Sequence, residues 1–342
     1  MHQFWDKQTW ATGMSTTRVQ KTEQKTLPGN FEWSSHSLDA IYEFLKENYI
    51  SDEEDFKMRY TLETLGWAIE VPGHQNICID DKNTQKIIGF ISLTPLNLKL
   101  NNNEVRAVQV NFLCVHKDYR NKKLVEYLIT EAKRISEGKN RNQSIATIHN
   151  KIPGSILKAS YWHRPINVNK LSKYGFYESN RPKTKFFEIR GRSYFRKMTS
   201  KDIPKVTQIL KEYFKNFKIS PVVNDSWVRH WLMPRDGVIY SYLNDETSEF
   251  LSFYSIPYDK IDNSGSINQA YLFYMTGDNF NDAFLIAQNE GFDVFNTLGV
   301  VHDEELLKKH RFLEGSGYVN YHLFDWKLDC EISKRDMNIR IP

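Results

Sequence analysis

Apolar residues recur along the chain with two different periods, and the changes of period mark the elements. Behind Ser37, a suitable N-cap, Leu38, Ile41 and Leu45 fall on one helical face, which predicts an amphipathic helix over residues 38–48. Ile77–Ile79, Ile87–Leu93 and Val105–Val115 are β-rich runs separated by Asp81-Lys82-Asn83 and Asn101-Asn102-Asn103, whose turn chemistry predicts an antiparallel meander. Helical period returns over residues 121–136 through Leu124, Leu128 and Ile135, completing a strand–turn–helix unit. A similar series begins near Tyr194. It has a helix carrying Ile203, Val206 and Leu210 on one face, strands near 238–243, 250–256 and 270–275, a helix around 281–290 and a strand from Phe292 to Leu298. The pattern predicts a mixed α/β chain of two structurally similar lobes, with a boundary between Asn180 and Arg192. Residues 11–30, rich in Thr, Lys, Gln and Ser and closed by Pro28-Gly29-Asn30, read as an extended or mobile arm.

Composition supports this picture. With 342 residues, 40% hydrophobic and 14% aromatic, the chain has material for one large or two medium cores, which excludes a disordered or fibrous class. Cys78, Cys114 and Cys330 are far apart and form no Cys-x-x-Cys pair, so neither a disulfide framework nor a zinc ribbon is indicated, and a reducing, cytoplasmic setting is expected. The start of the chain lacks the apolar run of a signal peptide, and no stretch approaches the roughly 20 apolar residues of a spanning helix. A net charge of +4 is a weak hint of anionic partners and does not choose between nucleic acid and cofactor.

The run Val110-Asn111-Phe112-Leu113-Cys114-Val115-His116-Lys117-Asp118-Tyr119-Arg120-Asn121-Lys122-Lys123-Leu124 carries the chemistry. An apolar strand enters a cationic turn. A helix starting near Asn121 aims its free N–H groups and positive dipole end at that turn, where Arg120, Lys122 and Lys123 add charge suited to a pyrophosphate. An isolated basic cluster is more often a solvated helix face, and its position after a buried strand narrows that preference. No Gly-x-x-x-x-Gly-Lys or Gly-x-Gly-x-x-Gly run is present, so neither a P-loop nor a dinucleotide fingerprint is indicated.

These residues resemble the glycylpeptide N-tetradecanoyltransferase (protein N-myristoyltransferase) family, whose signature centres on Asn-Phe-Leu-Cys-Val-His. The resemblance covers nearly the whole chain: His2-Gln3-Phe4-Trp5-Asp6-Lys7-Gln8, Phe31-Glu32-Trp33, Glu47-Asn48-Tyr49, Tyr161-Trp162-His163-Arg164, Phe250-Leu251-Ser252-Phe253-Tyr254, Gly291-Phe292-Asp293-Val294-Phe295-Asn296 and Asp325-Trp326 are similar to further family blocks, in order. It implies two pseudo-symmetric lobes of the GNAT acetyltransferase type forming one saddle-shaped catalytic unit. The expected divisions are an arm over 1–26 that contacts CoA, an acyl-CoA-binding lobe over 27–185, and a peptide-binding lobe over 186–342 that ends in a functional carboxylate. Myristoyl-CoA is the implied donor and the α-amine of an amino-terminal glycine the acceptor, with direct transfer, no covalent enzyme intermediate, no prosthetic group and no metal. The implied partners are protein or peptide substrates with an amino-terminal glycine and no nucleic acid. A monomer is expected, and ribosome association is left open.

The resemblance also implies roles. The backbone amides of Phe112 and Leu113 form an oxyanion hole, the carboxylate of Pro342 accepts the proton of the glycine ammonium, and Asn111 and Thr147 stand where the family places polar partners of that amine. Cys114 resembles a nucleophile, but the family mechanism needs none there and packing is its expected role. CoA contacts are expected from His2, Gln3, Phe4 and Trp5, from Leu113, Cys114 and Val115, and from Arg120, Asn121, Lys122, Lys123, Leu124 and Val125. The peptide channel is expected to use Phe56, Tyr60, Tyr161, His163, Phe176, Tyr254, Tyr271, Ser316 and Val319. The acidic run Asp52-Glu53-Glu54-Asp55 suits attraction of basic substrate segments, although such a run taken alone is more often an exposed solvated loop. Three departures stand out. Gln3 replaces a lysine, Lys122-Lys123-Leu124-Val125-Glu126 replaces Lys-Arg-Leu-(Ala or Thr)-Pro, and Gly315-Ser316-Gly317 replaces Gly-Asp-Gly. The first two weaken the charge on the phosphate loop, and the third removes an acidic contact to a substrate lysine. Rival readings are a double-GNAT enzyme with another donor and a non-catalytic binder of acyl-CoA or glycine-ended peptides.

Overall fold

The structure, a computed structural model, describes residues 22–49, 56–101, 103–149, 152, 154–176, 184–262, 264–326 and 331–342. The elements in the first part of the chain are β1 (Phe31–Ser34), α1 (Leu38–Asn48), β2 (Phe56–Met58), α2 (Leu62–Ile69), β3 (Gln75–Asp81), β4 (Lys86–Leu100), β5 (Asn103–Val115), α3 (Leu124–Gly138), β6 (Gln143–Ile148), β7 (Ser155–Pro165) and α4 (Val168–Lys173). After them come β8 (Arg196–Lys197), α5 (Ile203–Phe214), β9 (Ile219–Pro221), α6 (Asp225–Leu232), β10 (Ile239–Asn244), β11 (Glu249–Ser255), β12 (Tyr258–Lys260) and β13 (Ser266–Ile267). The chain closes with β14 (Gln269–Met275), α7 (Phe280–Asn289), β15 (Val294–Leu298), α8 (Glu304–Lys309) and β16 (Leu313–Phe324). Ser37 caps α1 as expected, its hydroxyl accepting from Ala40 N at 3.4 Å.

Two compact units divide the chain, but not at one point. The first takes Met1–Ser51, Leu65–Lys158 and Val319–Ser333, and the second takes Asp52–Thr64, Ala159–Tyr318 and Lys334–Pro342. A single boundary at 185/186 therefore describes neither unit. The reason is strand exchange: β16, late in the chain, pairs with β6 through Asn320–Phe324, and β7, early in the chain, pairs with β15 through Tyr161–Pro165.

The strand schemes of the two units match. In the first the order is β1-β3-β4-β5-β6-β16, antiparallel except for the parallel β5·β6 pair, which α3 connects. In the second the order is β8-β10-β11-β14-β15-β7, antiparallel except for the parallel β14·β15 pair, which α7 connects. A parallel neighbour requires a crossover, and a helix supplies it in both cases. In the first unit Leu124, Leu128 and Ala132 of α3 pack on Ile79, Ile88, Ile91 and Val115 of the sheet. In the second Phe280, Phe284 and Ala287 of α7 pack on Leu251, Phe253 and Phe295. A further small sheet, β13-β12-β2, completes the second unit.

Candidate active site

The signature run lies at a defect in the ladder between β4 and β5. Val115 faces Gly89 and Cys114 faces Phe90, but Asn111 already faces Ser92, so Phe112 and Leu113 together oppose Ile91. Two residues against one is a β-bulge, which bends the strand and re-aims the peptide groups beside it. Phe112 has φ +53°. That left-handed conformation costs an L-residue roughly 1–2 kcal/mol and is ordinarily left to glycine. The strain falls on a side chain fixed by burial, 5% exposed and 5.4 Å from the Tyr49 ring. A glycine would permit the turn, whereas Phe112 also anchors it.

The second unit has a bulge at the matching place in its own scheme, but a different one. Ser252 faces Tyr274 and Phe253 faces Leu272, which leaves Phe273 extra. Phe273 is not among the residues with positive φ. The Ser252 hydroxyl accepts from Tyr274 N and donates to Tyr274 O, each at 3.1 Å, and so fills the gap in the ladder. One topology thus carries two bulges. One is turned by a left-handed residue, and the other is closed by a serine.

Beside the first bulge, Asn111 is 7% exposed and its Nδ2 has no hydrogen-bond partner among the described residues. An unmade bond on a buried donor costs about 1–3 kcal/mol, so the site is complete only when something accepts from it. Gln109, two residues earlier on the same face, also has an unpartnered Nε2, and Thr94, opposite Gln109, an unpartnered Oγ1. Gln109 and Thr94 were not foreseen from the sequence; the period-2 alternation in β5 puts Gln109 on the face of Asn111 and was the signal available. Thr147 lies in the same unit on β6, opposite Tyr321 and partly buried. Cys114 is buried, and desolvation pushes its thiol up to about 12 against the weaker pull of Arg120 and Lys117. A thiol held protonated suits packing and not nucleophilic attack.

The cationic turn differs from the sequence expectation. Lys117–Lys122 forms a 3₁₀ helix, Lys123 is left-handed at φ +57°, and α3 begins only at Leu124 instead of near Asn121. The left-handed residue cannot continue either helix, and this fixes the break. No side chain caps α3, so its first-turn N–H groups keep their affinity for an anion. Arg120 is a strut, with Nη2 donating to Asn48 O at 3.3 Å, while the Asn48 side chain accepts from Lys117 N at 3.2 Å. Asn121, Lys122 and Lys123 are exposed, Val125 is partly buried, and Glu126 sits in the first turn of α3. His2, Gln3, Phe4 and Trp5 lie outside the described residues, as does the run Asp52–Asp55. The end of the arm that is described is fastened to α3: Thr22 N and Oγ1 each donate to the Glu137 carboxylate at 2.9 Å, and Gln24 Nε2 donates to Glu131 at 3.0 Å.

Most of the expected peptide-channel residues gather in the second unit. Phe56 meets Phe176 edge-on at 6.1 Å, Phe176 meets His163 at 5.9 Å, and Tyr271 lies 6.3 Å from Tyr161 and stacks on Tyr254 at 5.4 Å. Burial, then the phenols of Tyr258, Tyr161, Tyr254 and Tyr60, raise the Tyr271 hydroxyl well above its usual range. His163 Nδ1 bonds Asn296 Oδ1 at 2.7 Å, Asn296 donates to Gln269 Oε1 at 2.6 Å, and the Tyr271 hydroxyl donates to the same oxygen at 3.2 Å. Burial lowers the His163 pKa more than Asn296 raises it, so the ring is neutral. Gly315 and Gly317 of β16 lie against this network. A Cβ on Gly315 would collide with the His163 ring, and one on Gly317 would touch Tyr161 at 3.4 Å. Ser316 between them is exposed, and Val319 falls in the first unit, outside the cluster.

The end of the chain is held within the second unit. Ile219 N donates to Asp336 O at 3.0 Å and Asn338 N to Ile219 O at 2.8 Å, a parallel bridge to β9. Met337, Asn338, Ile339 and Arg340 are at most 7% exposed, and Arg340 Nη2 donates to Val300 O at 3.2 Å. Pro342 follows, partly buried. A terminus with four consecutive buried residues is not the frayed end expected of most chains.

Comparisons with known proteins agree with this geometry. Residues 12–159 match the N-terminal domain, and residues 180–340 the C-terminal domain, of the family described as Myristoyl-CoA:protein N-myristoyltransferase. The Glycylpeptide N-tetradecanoyltransferase 1 of Arabidopsis thaliana is 32% identical over 93% of this chain and 81% of its own length. A crystal structure of Saccharomyces cerevisiae N-myristoyltransferase with bound myristoyl-CoA superposes with a TM-score of 0.87 at 25% identity, covering 96% of this chain and 89% of that one. A GCN5-related N-acetyltransferase from Kribbella flavida, at 11% identity with a TM-score of 0.50, covering 86% of this chain and 70% of that one, shares the fold alone. With the two domain models matched in order along one chain, and the signature run at its left-handed bulge, the chain belongs to the myristoyl-CoA:protein N-myristoyltransferase family.

Proposed function

We infer that this chain is a glycylpeptide N-tetradecanoyltransferase: it transfers myristate from myristoyl-CoA to the α-amine of an amino-terminal glycine. The observation that carries the reading is the strained bulge at Phe112–Leu113, placed inside the family's signature.

In the proposed mechanism the amine nitrogen attacks the thioester carbonyl carbon, the C–S bond breaks, the amide forms and the CoA thiolate leaves. The amides of Phe112 and Leu113 stabilise the oxygen that becomes negative, a contribution of ~2.7–4 kcal/mol per donor. Left-handed φ at Phe112 supports this role, because it turns peptide groups out of ladder register. Asn111 and Thr147 orient the amine, and the unpartnered Nδ2 of Asn111 supports that assignment. The carboxylate of Pro342 takes the ammonium proton. A free α-amine has a pKa of ~7.7–8.0, so deprotonation at pH 7 costs only about 1–1.4 kcal/mol, and orientation is the larger part of the task.

For CoA we propose the uncapped start of α3 together with Lys122 and Lys123, and contacts from His2, Gln3, Phe4 and Trp5, which lie outside the described residues. Leu113, Cys114, Val115, Asn121, Leu124 and Val125 line its path, and Arg120 contributes by holding the loop. For the peptide we propose the cluster of Phe56, Tyr60, Tyr161, His163, Phe176, Tyr254 and Tyr271, with Ser316 and Val319 at its margin. The same reading has the enzyme acting as a cytoplasmic monomer, which sedimentation tests, and ribosome attachment is tested by co-sedimentation.

The deciding experiment is mass spectrometry of two peptides, identical except for glycine or alanine at the first position, after incubation with acyl-CoAs of several lengths. A mass gain of one myristoyl group on the glycine peptide alone is expected. Equal modification of both peptides would sink the proposal.

A further inference from the structure

A cleft of about 480 Å³ opens in the second unit beside α7 and α8, away from the aromatic cluster. Arg164, Lys185, Arg190, Lys309 and Arg311 line it, with Glu188 the one carboxylate on its wall and the rings of Phe284 and His310 beside them. Glu188 pairs with Arg190 at 2.7 Å, and Lys309 reaches Asp278 at 3.3 Å. Five cations against those two carboxylates leave a local formal excess of three positive charges. Arg164, Lys185 and Arg311 have no carboxylate within ion-pair distance among the described residues.

Two features set this apart from a solvated basic face. Arg164 is 3% exposed, and its guanidinium is held by three carbonyl oxygens, Nε to His310 O at 3.1 Å, Nη2 to Phe187 O at 3.0 Å and Nη1 to Pro165 O, and by the faces of Phe187 and Phe284, each 5.0 Å away. These groups hold the cation in one orientation without a carboxylate to neutralise it, so it leaves a fixed positive potential at the cleft. Arg311 follows α8 with φ +62°, the left-handed position that glycine or asparagine ordinarily takes after a helix. Its side chain lies over the Phe186 ring at 5.0 Å and donates to Phe186 O, which points the guanidinium along the cleft wall. The chain thus keeps a long cation where backbone conformation favours a residue with no side chain.

We propose that this cleft is a binding site for a compact polyanion bearing two or more phosphoryl groups. Its volume lies in the range of small-molecule sites, and its lining is mainly cationic. The planar forks of Arg190 and Arg311 match phosphate oxygens, and Lys185 and Lys309 add point charges at the rim. Arg164 sets the potential at the base without needing to move. A phosphorylated ring of this kind occurs free in solution and as the headgroup of a phosphoinositide lipid, and the chemistry of the cleft is the same for both.

The test uses the full chain with inositol trisphosphate in calorimetry, and in parallel flotation with phosphatidylcholine vesicles containing either phosphatidylinositol bisphosphate or phosphatidylserine at equal surface charge. One-to-one binding that persists in saturating CoA is expected, with affinity about tenfold weaker in Lys185→Ala and in Arg311→Gly. Arg311→Gly removes the cation while relieving its left-handed backbone, so its thermal midpoint reports folding separately from binding. Binding of the soluble probe and of bisphosphate vesicles alike assigns the phosphorylated ring itself, and binding of one alone assigns the source. Displacement by CoA, equal flotation with phosphatidylserine, or affinity unchanged in both variants would overturn the proposal. Peptide acylation, which uses none of these side chains, is expected to proceed at the parent rate in both variants, so a loss of binding is read apart from the transferase activity.

Discussion

Adding two residues, Gly-Ser, after Pro342 tests the proposed base with the least disturbance of the fold. Each extended residue displaces the terminal carboxylate by up to ~3.3–3.6 Å, so the pair moves it by as much as about 7 Å, beyond the ~2.6–3.2 Å reach of a proton-accepting group. The bonds that fix the tail lie upstream, at Asp336, Asn338 and Arg340, and the extension touches none of them. Stability and acyl-CoA affinity are therefore expected to stay near the parent values. Turnover is expected to fall ~10²–10⁴-fold, the usual contribution of general base catalysis, equivalent to about 2.7–5.4 kcal/mol at 1.36 kcal/mol per decade. A second measurement divides that loss. Because the amine titrates near ~7.7–8.0, raising the pH to roughly 9 restores at most about a tenfold factor, and any remainder is loss of orientation. The assay is single-turnover acylation of a glycine peptide, with acyl-CoA binding followed by fluorescence. Turnover within about twofold of the parent, at unchanged CoA affinity, refutes the role given to Pro342.

Phe112→Gly should be at least as stable in urea as Phe112→Ala, since φ +53° reverses the ~0.5–1 kcal/mol by which glycine trails alanine in a strand; alanine ahead by about 1 kcal/mol would contradict the left-handed bulge. Ser252→Ala should lower stability by about 1–3 kcal/mol through its two lost bonds to Tyr274 while leaving turnover unchanged, because that bulge is structural; a drop in turnover at constant stability counts against the division of roles. Gly315→Ala should push His163 off Asn296 and raise peptide KM severalfold with acyl-CoA binding intact, and an unaltered KM removes His163 from the peptide site. Burial depresses both His163 and His302, the latter to about 3. The unfolded chain then takes up protons that the folded chain refuses, so stability is fully present above the ordinary histidine value of ~6.5 and declines as pH falls below it, by up to about 1.4 kcal/mol per pH unit for each ring. Urea midpoints between pH 7 and pH 5 that do not move toward lower denaturant would refute this.

Much of the fold was legible because α1, α3, α5 and α7 each bury one stripe and the meander strands are bounded by Asn- and Asp-rich turns. The left-handed bulge was not, since Asn111-Phe112-Leu113 contains no glycine and reads as plain strand; the burial of Phe112 and its contact with Tyr49 support the strained conformation. Lys123 hid the break between the 3₁₀ and α-helical segments for the same reason, as a left-handed lysine has no sequence mark. Arg120 reads as a phosphate ligand, and its bond to the Asn48 carbonyl, 72 residues away, leaves no mark in the sequence. The glycines at 315 and 317 appeared as a departure centred on Ser316, yet their contribution is the room they leave for His163 and Tyr161, which only the approach of β16 reveals.

The exchanged strands also govern when the protein can fold. The first unit cannot finish its sheet until Asn320–Phe324 has been synthesised, although its other strands are complete by Ile148. During translation β6 waits as an unpaired edge for about half of the chain's length, a condition that invites aggregation. A nascent chain stalled before residue 313 is therefore expected to bind chaperones and resist compaction, and separate expression of the two sequence halves should give two insoluble fragments instead of two lobes.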